Sequence, residues 1–176
     1  MNSACGKLLG KFPGILSPLP FATSKIGTAL AQALYPGLSV LLSGDLGAGK
    51  TALARSVGES LGVSRMKSPT FAIEAVHGVP GRDFSLVHCD LYRMSGDDGA
   101  VLMSLEERVA DGDALLIEWG ERWQDPPDAD RWDINISILG EGLRMFELSA
   151  HGDRAVSALS GAYCGILDIF LKEAWI

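Results

Sequence analysis

The spacing of hydrophobic residues changes several times along the chain, and each change predicts an element. Apolar side chains recur every four positions across residues 26–34, which predicts a helix that ends at Pro36. Residues 38–43 are a short apolar run, as expected for a strand buried on both faces of a sheet. Residues 53–61 return to helical spacing. A strand, a glycine-rich segment and a helix therefore follow one another without a gap.

The middle of the chain continues this alternation. Residues 68–76 and 84–90 are predicted to pair as a hairpin around the turn-rich residues 78–82. A short helix is expected over residues 104–110, with acidic residues in its first turn. Residues 114–118 form a second short apolar run that ends in an acid. Strands and helices thus alternate, which is typical of an α/β sheet.

The last third of the chain predicts antiparallel additions and a helix. Isoleucines alternate with polar residues over residues 133–139, and a glycine-containing turn leads into residues 143–148. We expect these two strands to form an antiparallel pair added to the main sheet. Residues 153–174 carry apolar side chains at amphipathic helical spacing. The chain should therefore end in a helix.

Composition and charge narrow the class of protein. With 176 residues, 47% hydrophobic and 21% charged, the chain fits one globular domain. We assign residues 1–17, rich in Gly, Pro and Leu, to a poorly ordered or loosely packed leader, and residues 18–176 to the single domain. The net charge of −7 argues against a protein whose main task is to grip nucleic acid.

The sequence gives no sign of a membrane or zinc protein. Apolar stretches are interrupted well short of the roughly eighteen residues needed to span a bilayer. The three cysteines show no CxxC spacing of the kind that marks zinc sites. We therefore expect a cytoplasmic protein without a membrane partner.

One motif carries specific chemistry. The segment GDLGAGKT at residues 44–51 matches G-x-x-x-x-G-K-[ST], between a predicted strand and a predicted helix. Glycines let several backbone N–H groups converge on a phosphate, and the helix directs its positive dipole end at the same anion. Lys50 adds a cation, and the Thr51 hydroxyl is a magnesium ligand in such loops. The predicted nucleotide-binding residues of the loop are Gly44, Asp45, Leu46, Gly47, Ala48, Gly49, Lys50, Thr51 and Ala52.

Two acids are candidates for the metal site that such a loop requires. Asp90 and Glu118 each close an apolar strand at the sheet edge expected to hold the loop. Magnesium prefers oxygen ligands and usually keeps several waters. We predict that at least one of these carboxylates serves Mg²⁺, directly or through water. The fold class that follows is a P-loop NTPase-like, mainly parallel sheet flanked by helices, with antiparallel strand additions and a C-terminal helix.

Four motifs in fixed order make the sequence similar to a known family. They are SGDLGAGKT at residues 43–51, KSPTF at 67–71, HCDLYR at 88–93, and IEW at 117–119 followed by Glu121. The chain resembles, over roughly residues 18–150, the TsaE (YjeE) family of small P-loop ATPases required for bacterial threonylcarbamoyladenosine (t6A) modification of tRNA. The first motif is shared by many ATPases, whereas the ordered set is highly specific.

The resemblance implies roles for individual residues. Its catalytic residues correspond to Lys50, Thr70, Asp90 and Glu118, with Thr51, Glu118 and Asp90 at the magnesium ion and Trp119 packed close to the nucleotide. It implies Mg²⁺-dependent binding and hydrolysis of ATP, weak alone and stimulated by a TsaD-like threonylcarbamoyl transferase subunit and its TsaB-like partner. Contact with tRNA would then be indirect, which agrees with the acidic composition.

Two other functions use the same loop. A small-molecule P-loop kinase needs an acceptor pocket and commonly an arginine-rich lid, and no comparable arginine cluster follows Asp90. A nucleotide-sensing module without turnover uses the same ligands as an ATPase, so the sequence leaves it open. His88 also has two interpretations, either a tuning group beside Asp90 or a packed histidine.

Overall fold

A computed structural model of the chain describes residues 10–18, 21–63, 66, 73–94, 99–126 and 130–173. These residues form a seven-stranded sheet with helices on both faces. The strands are β1 (Lys11–Pro18), β2 (Ser39–Ser43), β3 (Glu74–Gly78), β4 (Ser85–Asp90), β5 (Ala114–Glu118), β6 (Arg131–Gly140) and β7 (Leu143–His151). The helices are α1 (Phe21–Ala33), α2 (Lys50–Ser60), α3 (Gly99–Ala110) and α4 (Asp153–Glu173).

The strand order is β1-β7-β6-β2-β5-β4-β3. Strands β6, β2, β5 and β4 are parallel, whereas β7, β1 and β3 pair antiparallel to their neighbours. Leu42 of β2 and Asp90 of β4 both lie beside Glu118 at the end of β5. Because parallel strands end at the same edge, the tips of β2, β4 and β5 meet there. The predicted α/β class with antiparallel additions is confirmed.

Two apolar layers cover the parallel strands. Leu42 and Leu116 face a core shared with α1, α2 and α4. Leu41 and Ile117 alternate with them and face a second core, to which α3 contributes Leu105. Burial on both faces explains why these strands read as continuous apolar runs in the sequence.

The β6–β7 hairpin lies closer to the centre of the sheet than the sequence suggested. We expected an add-on, but β6 pairs in parallel with β2, with Trp132 beside Val40 and Asn135 beside Ser43. The hairpin therefore sits next to the segment that follows β2. Nothing in the alternating pattern of residues 133–139 reveals this neighbour, because strand order is set by long-range packing.

The structure also differs from the prediction at the N-terminal end. Residues 11–17, which we assigned to a leader, belong to β1, which pairs with β7. Phe12 and Ile15 of this strand are buried. A register shift separates them, so the period of two that identifies a strand is lost. The proposed boundary at residue 18 consequently falls inside a strand.

Helix α4 packs against α1 and against the β6–β7 hairpin. By length and composition alone, Asp153–Leu171 is the one stretch within the described ranges that would be long and apolar enough to cross a membrane. Its apolar stripe, however, packs in the first core, where Ala155, Leu159 and Ile166 are fully buried. Core packing therefore accounts for part of its apolar composition, while Leu167 and Leu171 of the same helix are exposed.

Candidate nucleotide-binding site

The loop between β2 and α2 depends on glycine. Gly44, Gly47 and Gly49 have φ angles of 133°, 80° and 114°, a region that other residues rarely adopt. At Gly44 an added Cβ would also collide with the carbonyl oxygen of Ile136 on β6. Glycine is therefore required at position 44 both by its φ angle and by the close approach of β6.

The start of α2 is open to an anion. The helix begins at Lys50, its N-cap Gly49 offers no side-chain cap, and the first turn holds no acid. The first amide N–H groups of a helix have no partner within the helix, and the dipole makes this end positive. The Lys50 ammonium donates to the carbonyl oxygens of Gly44 at 2.5 Å and Asp45 at 3.0 Å. The loop thus curls around its own lysine.

Lys50 occupies an unusual environment for a lysine. Its side chain is buried, and its Nζ lies 3.6 Å from the centroid of a Trp119 ring. Burial lowers the pKa of Lys50 below its ordinary value, and the nearby carboxylates, Glu121 foremost and then Glu118, oppose this shift. A cation in such a weakly hydrated site attracts a phosphate more strongly than an exposed lysine does.

Glu118 connects the loop to the neighbouring strands. The Thr51 hydroxyl donates to Glu118 Oε2 at 2.5 Å, and His88 Nε2 lies 2.9 Å from Glu118 Oε1. Both His88 and Glu118 are buried. Since the Thr51 hydroxyl donates its hydrogen bond to the carboxylate, the hydroxyl oxygen keeps its lone pairs for a metal ion. His88 is therefore neither isolated nor simply packed, because it contacts Glu118, which in turn accepts a hydrogen bond from Thr51.

Asp90 reaches the same edge from β4. It is half-buried, and its Oδ1 accepts a 2.9 Å hydrogen bond from the Tyr92 amide. This bond caps the short helical turn Leu91–Arg93. Asp90 is thus more accessible than Glu118.

Aromatic rings form one wall of the site. Trp119 is the one non-glycine residue with a positive φ, 60°, in the part of the chain that the structure describes. Its ring lies 4.8 Å from that of Tyr92, and the Arg122 guanidinium lies 5.4 Å from the Tyr92 ring. At the next position, a Cβ on Gly120 would collide with Leu41. The tight turn after Glu118 therefore sends the indole over Lys50.

These elements enclose a cleft of about 300 Å³. Loop residues line one side, and Asp90, Glu118, Tyr92 and Trp119 line the other. A glycine-built anion site, a buried lysine and two carboxylates thus share one concave surface. Such a combination suits a polyphosphate and its cation.

A family model described as Threonylcarbamoyl adenosine biosynthesis protein TsaE matches residues 18–145. The chain belongs to the TsaE family. Among its relatives, the tRNA threonylcarbamoyladenosine biosynthesis protein TsaE of Streptomyces coelicolor is 42% identical over 140 residues, which are 76% of this chain and 94% of that protein. The protein of the same name from Bacillus subtilis is 34% identical over 138 residues, 77% and 84% of the two chains.

A solved structure agrees with the family assignment. The crystal structure of Bacillus subtilis YdiB matches with a TM-score of 0.72 and 26% identity, and the match covers 90% of this chain and 97% of that one. The resemblance seen in the four motifs is therefore confirmed, and with it the P-loop fold and a place in t6A biosynthesis.

Not every residue predicted for the TsaE site lies in the cleft. Ala48 is buried behind the loop, and Ala52 is exposed on α2. Thr70, with the whole 67–71 motif, lies outside the described residues. Trp132 sits at the start of β6, where its indole N–H donates to the carbonyl oxygen of Ala155 at 2.9 Å. It lies beside Val40 near the start of β2, so it is at the edge of the sheet opposite the loop.

One residue that contacts the loop gave no signal in the sequence. The guanidinium of Arg144 on β7 donates to the carbonyl oxygens of Ala48 at 3.2 Å and Gly47 at 3.4 Å. Arg144 follows the loop by almost a hundred positions and belongs to none of the four TsaE motifs. Only the approach of the hairpin brings the two together.

The site offers oxygen ligands for a hard cation. Within the described ranges no group of three or more His, Cys, Asp or Glu side chains forms a metal site. Thr51, Glu118 and Asp90 nevertheless line one cleft with hydroxyl and carboxylate oxygens. This sparse set fits Mg²⁺, which commonly relies on substrate phosphates and water for the rest of its shell.

Proposed function

We propose that this TsaE-family protein binds ATP with Mg²⁺ and hydrolyses it as an accessory subunit of the threonylcarbamoyl transferase complex that carries out t6A modification of tRNA. The observation that carries the proposal is the Thr51–Glu118 hydrogen bond, which joins the phosphate loop to the acid at the tip of β5. Lys50 and Asp90 line the same cleft. In this proposal the sheet and its helices act as one ATPase domain.

The phosphates bind to the loop and the start of α2. The uncapped amides from Gly49 onward supply N–H donors, and Lys50 exchanges its contacts with the loop carbonyls for the terminal phosphates. The Trp119 ring packs against the Lys50 ammonium, close to where the nucleotide binds in this proposal. The left-handed conformation of Trp119 supports this role, because such strain is found mainly at functional sites.

Thr51 and the two carboxylates hold the cation. Bound Mg²⁺ neutralises charge on the phosphates and on the leaving oxygen. Glu118 keeps the Thr51 hydroxyl oriented, and His88 in turn keeps Glu118 in place. Asp90 orients the attacking water, a role supported by its partial exposure beside Glu118. Water then attacks the terminal phosphorus while its bond to the β–γ bridging oxygen breaks, and ADP, inorganic phosphate and a proton are released.

A protein partner completes the site in this proposal. Leu46 is 77% exposed and Tyr92 48% exposed, and both lie at the rim of the cleft. Exposed apolar groups at a catalytic rim suit a contact with another protein. The net charge of −7 favours contact with TsaD-like and TsaB-like proteins over direct contact with tRNA. The proposal places this assembly in the cytoplasm.

Calorimetry with ATP and Mg²⁺ tests the binding site. We expect Lys50→Ala to abolish measurable ATP binding, because the loop loses its only cation aimed at the cleft. Arg55→Ala is the matched control, since Arg55 is exposed on the same helix. Unchanged ATP affinity in Lys50→Ala would refute the site.

ATPase measurements with and without the purified TsaD–TsaB pair test the activity. We expect slow release of phosphate by the protein alone and faster release with the pair. Incubation with ATP and candidate acceptors distinguishes the kinase alternative. A phosphorylated small molecule, without free phosphate, would overturn the ATPase assignment.

A further inference from the structure

Arg144 links two parts of the protein that are distant in sequence. Its Nε and one terminal nitrogen donate to the carbonyl oxygens of Ala48 and Gly47 in the phosphate loop. Its other terminal nitrogen donates to the carbonyl oxygens of Gly140, at 3.1 Å, and Leu143, at 3.0 Å, at the turn of the β6–β7 hairpin. One planar guanidinium therefore fixes the loop relative to the hairpin.

The orientation of a peptide unit makes this contact relevant to anion binding. In a planar trans peptide the carbonyl oxygen and the following amide hydrogen point in opposite directions. When Arg144 holds the Ala48 oxygen on the hairpin side, the Gly49 N–H is turned the other way. Gly49 lines the cleft. The arginine thus determines where one of the phosphate-binding amides points.

The neighbouring peptide supports this interpretation. The Gly47 carbonyl oxygen, which also contacts Arg144, shares a peptide unit with the Ala48 N–H. This N–H donates to the Asp45 carbonyl oxygen at 3.1 Å within the loop. That amide is therefore engaged in the turn, and the Gly49 amide is the next one along the chain that can turn toward the ligand. Glycine at position 49, with φ 114°, has no side chain to hold this peptide in place. An external contact is then needed to restrict it.

We infer that Arg144 is a positioning residue of the phosphate loop, which it holds so that the Gly49 amide faces the nucleotide phosphates before they bind. This inference rests on the proposed function. Arg144 does not touch the phosphates in this arrangement. It lowers the entropy that the loop loses when the anion binds, because the peptide is already oriented.

Titration calorimetry with Mg²⁺ and ADP measures the effect on affinity. We expect Arg144→Ala to weaken ADP binding about tenfold, which corresponds to about 1.4 kcal/mol. Arg144→Lys keeps the charge, but a lysine cannot contact two loop carbonyls and the hairpin together. We therefore expect its ADP affinity to remain several-fold weaker than that of the wild type. Arg131→Ala is the matched control, because Arg131 pairs with Asp133 on the same hairpin, beside the start of β2.

The amide resonance of Gly49 provides a second measurement that a purely structural role would not change. In ¹⁵N-labelled protein, ADP should shift this resonance strongly in the wild type and in Arg131→Ala, and much less in both Arg144 variants. Thermal unfolding identifies any variant that is globally destabilised. If Arg144→Ala does not fold, Arg144→Gln takes its place in the comparison.

The outcomes separate this inference from the function on which it rests. A wild-type protein that binds no ADP contradicts the proposed function. Wild-type ADP binding together with unchanged affinity and an unchanged Gly49 shift in the Arg144 variants contradicts the inference alone. Full affinity in Arg144→Lys also overturns it, because charge would then suffice.

Discussion

The sheet contains two regions that are built differently. The nucleotide half consists of β2, β4 and β5, strands of five or six residues that are buried on both faces. The hairpin half consists of β6, β7 and β1, strands of eight to ten residues in which buried and accessible positions mostly alternate along β6 and β7. The acids and the phosphate loop belong to the first half. The second half approaches the loop through Ile136 and Arg144.

This difference assigns distinct tasks to the two halves. Short parallel strands end together, so Asp90 of β4, Glu118 of β5 and the loop that follows β2 meet at the cleft. The long hairpin extends past the end of β2 and contacts the loop from behind. In the proposed function the nucleotide half supplies the reacting groups, and the hairpin half limits the shapes that the loop can adopt. Variants in the two halves should accordingly differ in what they change.

The largest effect is expected at a carboxylate of the nucleotide half. Glu118→Gln keeps the shape but loses the charge that orients Thr51, so we expect partner-stimulated ATP turnover to fall by about 100-fold or more, with ATP binding largely retained. Asp90→Asn should act in the same direction. Phosphate-release assays measure turnover, and Glu107→Gln, an exposed acid on α3, is the control. Full turnover in Glu118→Gln would contradict the role of this acid.

The next effect tests the junction between the halves. In Gly44→Ala the new methyl group meets the Ile136 carbonyl oxygen and the residue keeps an unfavourable φ, so we expect a loss of about 2–3 kcal/mol in the free energy of unfolding. Gly49→Ala changes a residue whose φ of 114° is close to the 133° of Gly44, but with open space around its Cβ. It should cost only about 1 kcal/mol. Urea unfolding of both variants makes the comparison, and equal losses would show that β6 does not constrain the loop.

A smaller effect is expected at the buried histidine. His88→Leu leaves Glu118 Oε1 without its partner, so we expect turnover to fall about tenfold, a difference of about 1.4 kcal/mol in activation free energy. His77→Leu is the matched control, because His77 lies on the neighbouring strand β3 and contacts neither Asp90 nor Glu118 in the described contacts. Parallel losses in both variants would indicate general packing and not support of Glu118.

The smallest effect is expected at an exposed apolar residue next to the hairpin turn. Leu139 is 53% exposed, and Leu139→Ser should change the free energy of unfolding by less than about 0.5 kcal/mol, with unchanged ADP affinity. Urea unfolding and calorimetry measure both quantities. Loss of stimulation by the TsaD–TsaB pair, with ADP affinity intact, would show that the hairpin half also binds the partner.

Local sequence patterns predicted most of the nucleotide half. The bounds of β5 and α4 follow the apolar spacing almost residue for residue, and the loop was found between its strand and helix. Asp90 and Glu118 were expected at strand tips on the loop's edge, where the structure has them. These predictions succeeded because period, glycine spacing and strand-end acids are local properties of a chain.

Tertiary structure decided the rest, because strand neighbours and side-chain contacts depend on residues far apart in sequence. The bulge in β1 removed the period by which that strand is recognised. The position of β6 beside β2 set both the steric limit at Gly44 and the reach of Arg144. The His88–Glu118 contact likewise needed two strands in register. The sequence alone determined which polar groups are available at the loop and the strand tips, and packing between distant segments determined how they are held.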